Sequence, residues 1–219
     1  MFVGHFGPFR PHRAWIVQAP GYNIGMCTVQ LSPHVTTPCP FIHGLDVEVN
    51  GPVESQIRLV FALRGDLNRL LIPPLSRTLR RTDGLWRHTC FEIFLKPVGG
   101  TAYWEFNFSP SGDWAVYRFD DYRAGQSSPT LTRPPSCRTQ REAERLELEA
   151  RIDLAPLGHE GDARDFHLAL SAVIESREGD LAYWACRHPA GKPDFHHPDS
   201  FARRLEPVSA MPAPGDPPH

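Results

Sequence analysis

Residues 83–122 (DGLWRHTCFEIFLKPVGGTAYWEFNFSPSGDWAVYRFDDY) restrict the fold more tightly than any other stretch of the chain. They read as three consecutive β-strands over 87–96, 102–109 and 114–122. Pro97-Val98-Gly99-Gly100 and Pro110-Ser111-Gly112-Asp113 separate them. Proline presets φ, glycine accepts positive φ and aspartate bonds its own backbone, so each marks a turn for its own reason. The strands are rich in aromatic side chains, which suit a pleated, half-buried surface.

Side chains alternate across a strand, so each run divides into two faces. In the first run Thr89, Phe91, Ile93 and Leu95 oppose His88, Cys90, Glu92 and Phe94. In the second, Trp104, Phe106 and Phe108 oppose Tyr103, Glu105, Asn107 and Ser109. Closing the first turn with Lys96 beside Thr101 sets Glu92 opposite Glu105. Closing the second with Ser109 beside Trp114 sets Glu105 opposite Arg118. That register puts Ala115, Tyr117 and Phe119 on the core face, and Trp114, Val116 and Arg118 on the polar face. A one-residue change would exchange the two sets.

The expected result is a sheet with one apolar face and one face carrying His88, Glu92, Glu105, Asn107, Trp114 and Arg118. Facing residues on neighbouring strands sit roughly 5 Å apart, so the two carboxylates need a cation or a proton between them. Arg118 is placed to supply the charge. An indole among hydrogen-bonding groups is how a site for a small polar molecule looks. The plainer alternative is a structural network buried beneath a loop.

With 219 residues, one domain with a substantial core is expected. The net charge of −2 leaves no basic patch for nucleic acid, and no apolar run approaches a membrane span. Five cysteines, an odd number with no CxxC, fit free thiols and a cytoplasmic location better than a disulfide framework. Residues 1–25 lack the apolar segment of a signal peptide and show no periodicity. A disordered leader over 1–30 is expected, with Met26 opening a stretch that reads like an ordinary N-terminus. The ordered domain is expected over 31–206, and residues 207–219 have the composition of a disordered tail.

Elsewhere the pattern is again of short strands. Residues 45–50 alternate and are followed by the turn signal Asn50-Gly51; residues 56–63 form the next strand. Residues 137–142 and 145–152 read as a hairpin, with Leu146, Leu148, Ala150 and Ile152 inward. Residues 165–175 and 181–187 follow the same logic, and 201–205 could close the sheet. Nine or ten short strands with hardly any helix predict an all-β fold, an antiparallel β-sandwich of jelly-roll type.

The second informative stretch is 188–201, with His188, Asp194, His196, His197 and Asp199. Imidazole and carboxylate could ligate a divalent metal, but the spacing matches no zinc signature, and Pro189, Pro193 and Pro198 forbid the helix that HxxxH needs. A rigid loop whose histidines bond to backbone or ligand is the simpler reading. The chain has no GxSxG, P-loop or dinucleotide fingerprint. Retaining glycosidases hold two carboxylates about 5–5.5 Å apart, which Glu92 and Glu105 could match, although side-by-side neighbours on one sheet face seldom flank a substrate.

The motifs DGLWRHTCFEIFL, YWEFNFSPSGDWAVYRFDDYR, AVIE and YWACRHPAGKPDFHHPDSF resemble those of DOMON-like bacterial proteins, which are related to family 9 carbohydrate-binding modules. The resemblance runs over about residues 31–206. It implies a jelly-roll sandwich with a ligand on a sheet face or rim. In sugar-binding relatives two tryptophans clamp the ring, and a Trp is followed by a Glu on the next strand. Trp86 and Glu92 stand where that pattern falls, with Trp184 or Trp114 as the second clamp. Haem-binding relatives use Met and His; here His88 with His188 or His196 would be the candidates.

These readings lead to a non-catalytic module without a cofactor that binds a saccharide or sugar derivative. The alternatives are a glycosidase or metal-dependent hydrolase, and a haem-binding domain. The expected register also makes Arg118→Ala costly, on the order of 3 kcal/mol, because a buried charge would lose its partner.

Overall fold

The computed structural model describes residues 26–53, 55–157 and 165–205. Of the expected leader over 1–30, residues 1–25 lie outside the described residues, as does the expected tail over 207–219. The chain is an all-β antiparallel sandwich, as its turn-punctuated short runs predict. Its strands are β1 (Met26–Pro33), β2 (Ile42–Val53), β3 (Gln56–Gly65), β4 (Cys90–Pro97), β5 (Tyr103–Phe108) and β6 (Trp114–Phe119). They continue with β7 (Ser136–Arg141), β8 (Arg145–Asp153), β9 (Phe166–Glu175), β10 (Leu181–Ala185) and β11 (Arg203–Leu205). Among the described residues, helical structure is limited to short 3-10 turns, and no helix is long and apolar enough to cross a membrane.

The first sheet runs in the order β1-β2-β3-β8-β7, and the second in the order β6-β5-β4-β9-β10, with β11 also pairing β9. Strand β1 joins them: residues 26–31 pair with β2, while Ser32 and Pro33 pair with β10. It starts at Met26, ahead of the expected domain boundary at Leu31, and only Val29 and Leu31 in it form a clear inward pair. So short an alternation is a weak strand signal.

Two further details differ from expectation. Asn50-Gly51 does not end its strand: β2 runs on to Val53, which pairs with Gln56 after an irregularity in the ladder. Gly51 there has φ +106°, a conformation that serves a bulge as well as a turn. The hairpin β7–β8 forms as expected, and Leu146, Leu148, Ala150 and Ile152 are all buried.

The main core lies between the sheets. Phe61 of β3 and Phe91 of β4 meet with ring centroids 5.1 Å apart. Phe91, Ile93 and Leu95 point inward from β4, and Trp104, Phe106 and Phe108 from β5. The other faces of β4 and β5 are buried as well, beneath a second apolar cluster that includes Phe94, Tyr103, Tyr117, Phe119 and Phe195. Phe195 comes from the loop over 186–202, so that loop covers the outer face of the second sheet.

Phe91 is fully buried and touches the facing sheet, so Phe91→Ala should cost about 3–5 kcal/mol. Urea denaturation followed by tryptophan fluorescence should show the lower midpoint with little change in slope.

Candidate functional site

The register of β4, β5 and β6 decides which side chains share the outer face. Across β4 and β5, Glu92 lies opposite Asn107, and Phe94 opposite Glu105. This is two residues from the expected pairing, so the faces hold and the two glutamates become diagonal neighbours. Across β5 and β6 the shift is one residue: Phe108 pairs with Trp114, and Glu105 with Tyr117. The ladder closes early because the Ser109 N–H bonds the Asp113 carbonyl at 2.9 Å, and the Gly112 N–H bonds Ser109 at 2.9 Å. Gly112 adopts φ +91°, and a Cβ there would lie 2.4 Å from Leu79. A glycine in this conformation makes a three-residue loop with a bulge, where a four-residue loop was expected.

That one-residue shift exchanges the faces of β6. Trp114 packs against the inter-sheet core and Arg118 lies opposite Trp104, on the side away from Glu105. Both residues leave the expected site. Arg118 pairs with the exposed Asp120 and not with a glutamate. An exposed pair contributes about 1 kcal/mol or less, so the large loss expected of Arg118→Ala does not follow. In exchange, Tyr117 and Phe119 join Glu92 and Glu105.

Above this face lies a cavity of about 290 Å³, at the small end of ligand pockets. Glu92, Glu105, Trp86 and His196 line it, as the sequence suggests. Asn107 lies beneath, fully buried, and its side-chain amide donates to Oε1 of Glu105 at 2.6 Å. Three other candidates stand elsewhere. Trp184 is 4% exposed in the inter-sheet core, so it is no clamp. The His88 ring bonds Glu175 at 2.8 Å, and His188 bonds the Ser32 carbonyl at 2.9 Å; neither lines the cavity.

Sequence reading missed Arg123, Tyr183 and Phe195, which also line the cavity. Arg123 follows β6 in a tight turn and has φ +51°, the one positive φ of a non-glycine among the described residues. Such backbone is uncommon outside glycine and accumulates at functional positions. Gly125 completes the turn, since a Cβ there would come within 2.2 Å of the Asp120 carboxylate. Arg123 donates to Asp194 at 2.8 Å, and the Tyr122 hydroxyl donates to the other Asp194 oxygen at 2.6 Å. The turn after β6 is thereby tied to the 186–202 loop.

His196 is held among Phe94, Phe119 and Tyr103. The Tyr103 oxygen accepts the Arg123 backbone N–H at 3.2 Å, and the Tyr103 hydroxyl and Nδ1 of His196 share a hydrogen bond at 2.8 Å. Nε2 of His196 lies 3.6 Å from Oε2 of Glu105. Burial, helped by the charge of Arg123, pushes the His196 pKa down to about 4, so the pair is not an ion pair near neutrality.

The glutamates are 3% and 5% exposed. Burial pushes Glu105 up to about 7, against the Asn107 hydrogen bond and the Arg123 charge. Burial and then the charge of Glu105 raise Glu92 well above the usual carboxylate value. Asp194 is also partly buried, but bonds from Tyr122 and Arg123 outweigh that and hold it below its ordinary value.

Among the described residues no group of three His, Cys, Asp or Glu side chains is placed to hold a metal ion. His197 turns to Asp199, while His196 and His188 are separately engaged. The three histidines expected as haem ligands are likewise held apart, with His196 alone at the cavity, so these residues do not fit an axial pair.

The raised pKa of Glu105 favours its protonated form in the fold. Its contribution to stability is fully present below about pH 4.5 and is lost as pH rises through about 7. Glu92 acts in the same direction. His196 acts oppositely, its contribution being present above about pH 6.5 and lost as pH falls through about 4. Glu105→Gln removes this carboxyl together with its repulsion of Glu92. Denaturation between pH 4.5 and 8 should show the variant gaining on the wild type by on the order of 3 kcal/mol towards pH 8.

No protein-family model matches the chain, and the comparison with curated proteins finds no match. Among solved structures, the chain is similar to a Bacteroides uniformis protein described as a "putative carbohydrate-binding protein", with TM-score 0.57 and 13% identity. The match covers 81% of this chain and 84% of that one, and at such identity it is a likeness of fold. A family 9 carbohydrate-binding module from Caldicellulosiruptor kristjanssonii, solved with glucose, aligns at TM-score 0.48 and 14% identity over 88% of this chain and 89% of that one. The cellotriose complex of a family 9 module from the same organism aligns at TM-score 0.48 and 12% identity, over 90% and 89%.

Proposed function

We propose that the chain is a non-catalytic module that binds a small saccharide or sugar derivative in the cavity over β4, β5 and β6. One observation carries the reading: two buried carboxyl groups form part of the lining of a cavity whose rings are Trp86, Tyr117, Phe119, Tyr183 and Phe195. A sugar presents an apolar ring face and a girdle of hydroxyls. Aromatic rings take the first, and carboxyl oxygens accept from the second. The fold is also that of a protein described as carbohydrate-binding, and the sequence resemblance to DOMON-like proteins and family 9 modules supports the same ligand class.

Trp86 fits one side of such a clamp. It is 38% exposed and meets Tyr117 edge-on at 5.7 Å. With Trp184 and Trp114 in or against the inter-sheet core, the remaining stacking surface comes from the tyrosines and phenylalanines. Both glutamates rise from neighbouring strands of one face. A ligand lies over them and not between them, which favours binding over glycoside cleavage.

Titration calorimetry against mono- and disaccharides at millimolar concentration tests the reading. At least one sugar should bind, and Trp86→Ala, which leaves the core intact, should weaken it about tenfold or more. If no sugar binds at millimolar concentration, the reading fails.

A further inference from the structure

We infer that the ligand carries a positive charge: the cavity suits an amine-bearing sugar, whose ammonium group would sit against Glu92, Glu105 and the aromatic rings. The inference rests on the sugar-binding reading above and specifies its ligand class.

The argument begins with the charged groups around the cavity. Strand β4 contributes Glu92 and β5 contributes Glu105; the other lining residues from strands, Tyr117, Phe119, Val173 and Tyr183, carry no formal charge near neutrality. The turn after β6 brings Arg123, whose guanidinium is engaged by Asp194 at 2.8 Å; its charge reaches both glutamates but counts for less than their burial. Burial keeps His196 neutral near neutrality. Behind Tyr117, Arg81 is held by Asp83 through two bonds of 3.1 and 2.8 Å. Both of these arginines are paired with an aspartate, Arg87 stands over the Trp86 ring at 5.9 Å, and among the described residues neither glutamate forms an ion pair with an arginine or lysine.

An acidic pair alone would not define a site. Here one member is also unsatisfied. Glu92 is 3% exposed and lines the cavity. Among the described residues its Oε1 accepts no hydrogen bond, and its Oε2 accepts only a long one, 3.5 Å, from the Ser171 hydroxyl. A buried carboxylate with so few donors is costly unless a proton or a cation joins it. A neutral hydroxyl supplies a hydrogen bond but no charge, whereas an ammonium supplies up to three donors and the charge together.

The walls favour the same chemistry. Ring faces carry negative potential, and several rings around one cavity attract an organic cation, more strongly once it leaves water. Tyr117 already accepts a cation on one side, with Arg81 5.5 Å from its ring centre. Near neutrality the glutamate pair retains a proton, and an arriving ammonium would displace it. Binding should therefore release protons to the buffer.

The test is calorimetry at pH 7 with matched probes: 2-amino-2-deoxyglucose and 6-amino-6-deoxyglucose, against glucose and N-acetylglucosamine. At least one amine should bind tenfold or more tightly than its neutral counterparts, with proton release visible across buffers of different ionisation enthalpy. In the doubly substituted Glu92→Gln, Glu105→Gln protein the preference should fall to near unity. Equal or tighter binding of the neutral sugars would overturn the charge inference and leave the sugar-binding reading standing. A preference that survives in the double variant would overturn it too. If neither kind of sugar binds, both readings fall.

Discussion

Burial of β4 and β5 on both faces is the constraint on which the site depends. Their inner face closes the sandwich, with Phe91 against Phe61. Their outer face, with Phe119 of β6 beside it, would be an exposed apolar patch if Phe94 and Tyr103 were left bare. The 186–202 loop covers it, with Phe195 as its buried anchor. The cover is incomplete, and the space beneath it is the cavity. Glu92 and Glu105 are thus removed from water by the packing that shields the aromatic rings around them. Their raised pKa values are a consequence of that packing more than of their mutual repulsion, since burial is the leading cause for each.

The cover is held by polar links as well as apolar ones. Arg123 and Tyr122 both reach Asp194, while Asp194 also accepts the His196 backbone N–H at 3.1 Å. The Tyr103 hydroxyl joins Arg123 to His196. One left-handed residue therefore connects the turn after β6, strand β5 and the covering loop. This connection fixes the cavity wall and, by engaging Arg123 with Asp194, withholds its full charge from the glutamates. Neutralising the site falls to a proton or to a ligand.

The sequence by itself determined the fold class and some of the residues that line the candidate cavity. Alternation in β4, β5 and β8 showed which side chains of each strand share a face, because successive side chains point to opposite sides. A two-residue slip between β4 and β5 left those faces unchanged, so Glu92 and Glu105 were correctly placed together, with Asn107 beneath. Trp86 was legible through the family resemblance, and His196 as one of the titratable groups of the proline-rich stretch over 188–201.

Tertiary structure decided the remainder. The shift at Gly112 turned β6 over, removing Trp114 and Arg118 and bringing in Tyr117 and Phe119. A loop-length difference of one residue is a small local energy, yet it moves every side chain of the strand to the opposite face. A glycine at the fourth position of Ser109-Pro110-Ser111-Gly112 was the available signal for the shorter loop. Trp184 illustrates the complementary limit. Its strand β10 is apolar at every position, so alternation does not say which face is inward, and only the packing of the two sheets makes its indole core. Arg123, Asp194 and Phe195 lie in loops without periodicity, far apart in sequence. Their meeting over the sheet depends on which exposed rings had to be covered, and that is settled by the assembled sandwich.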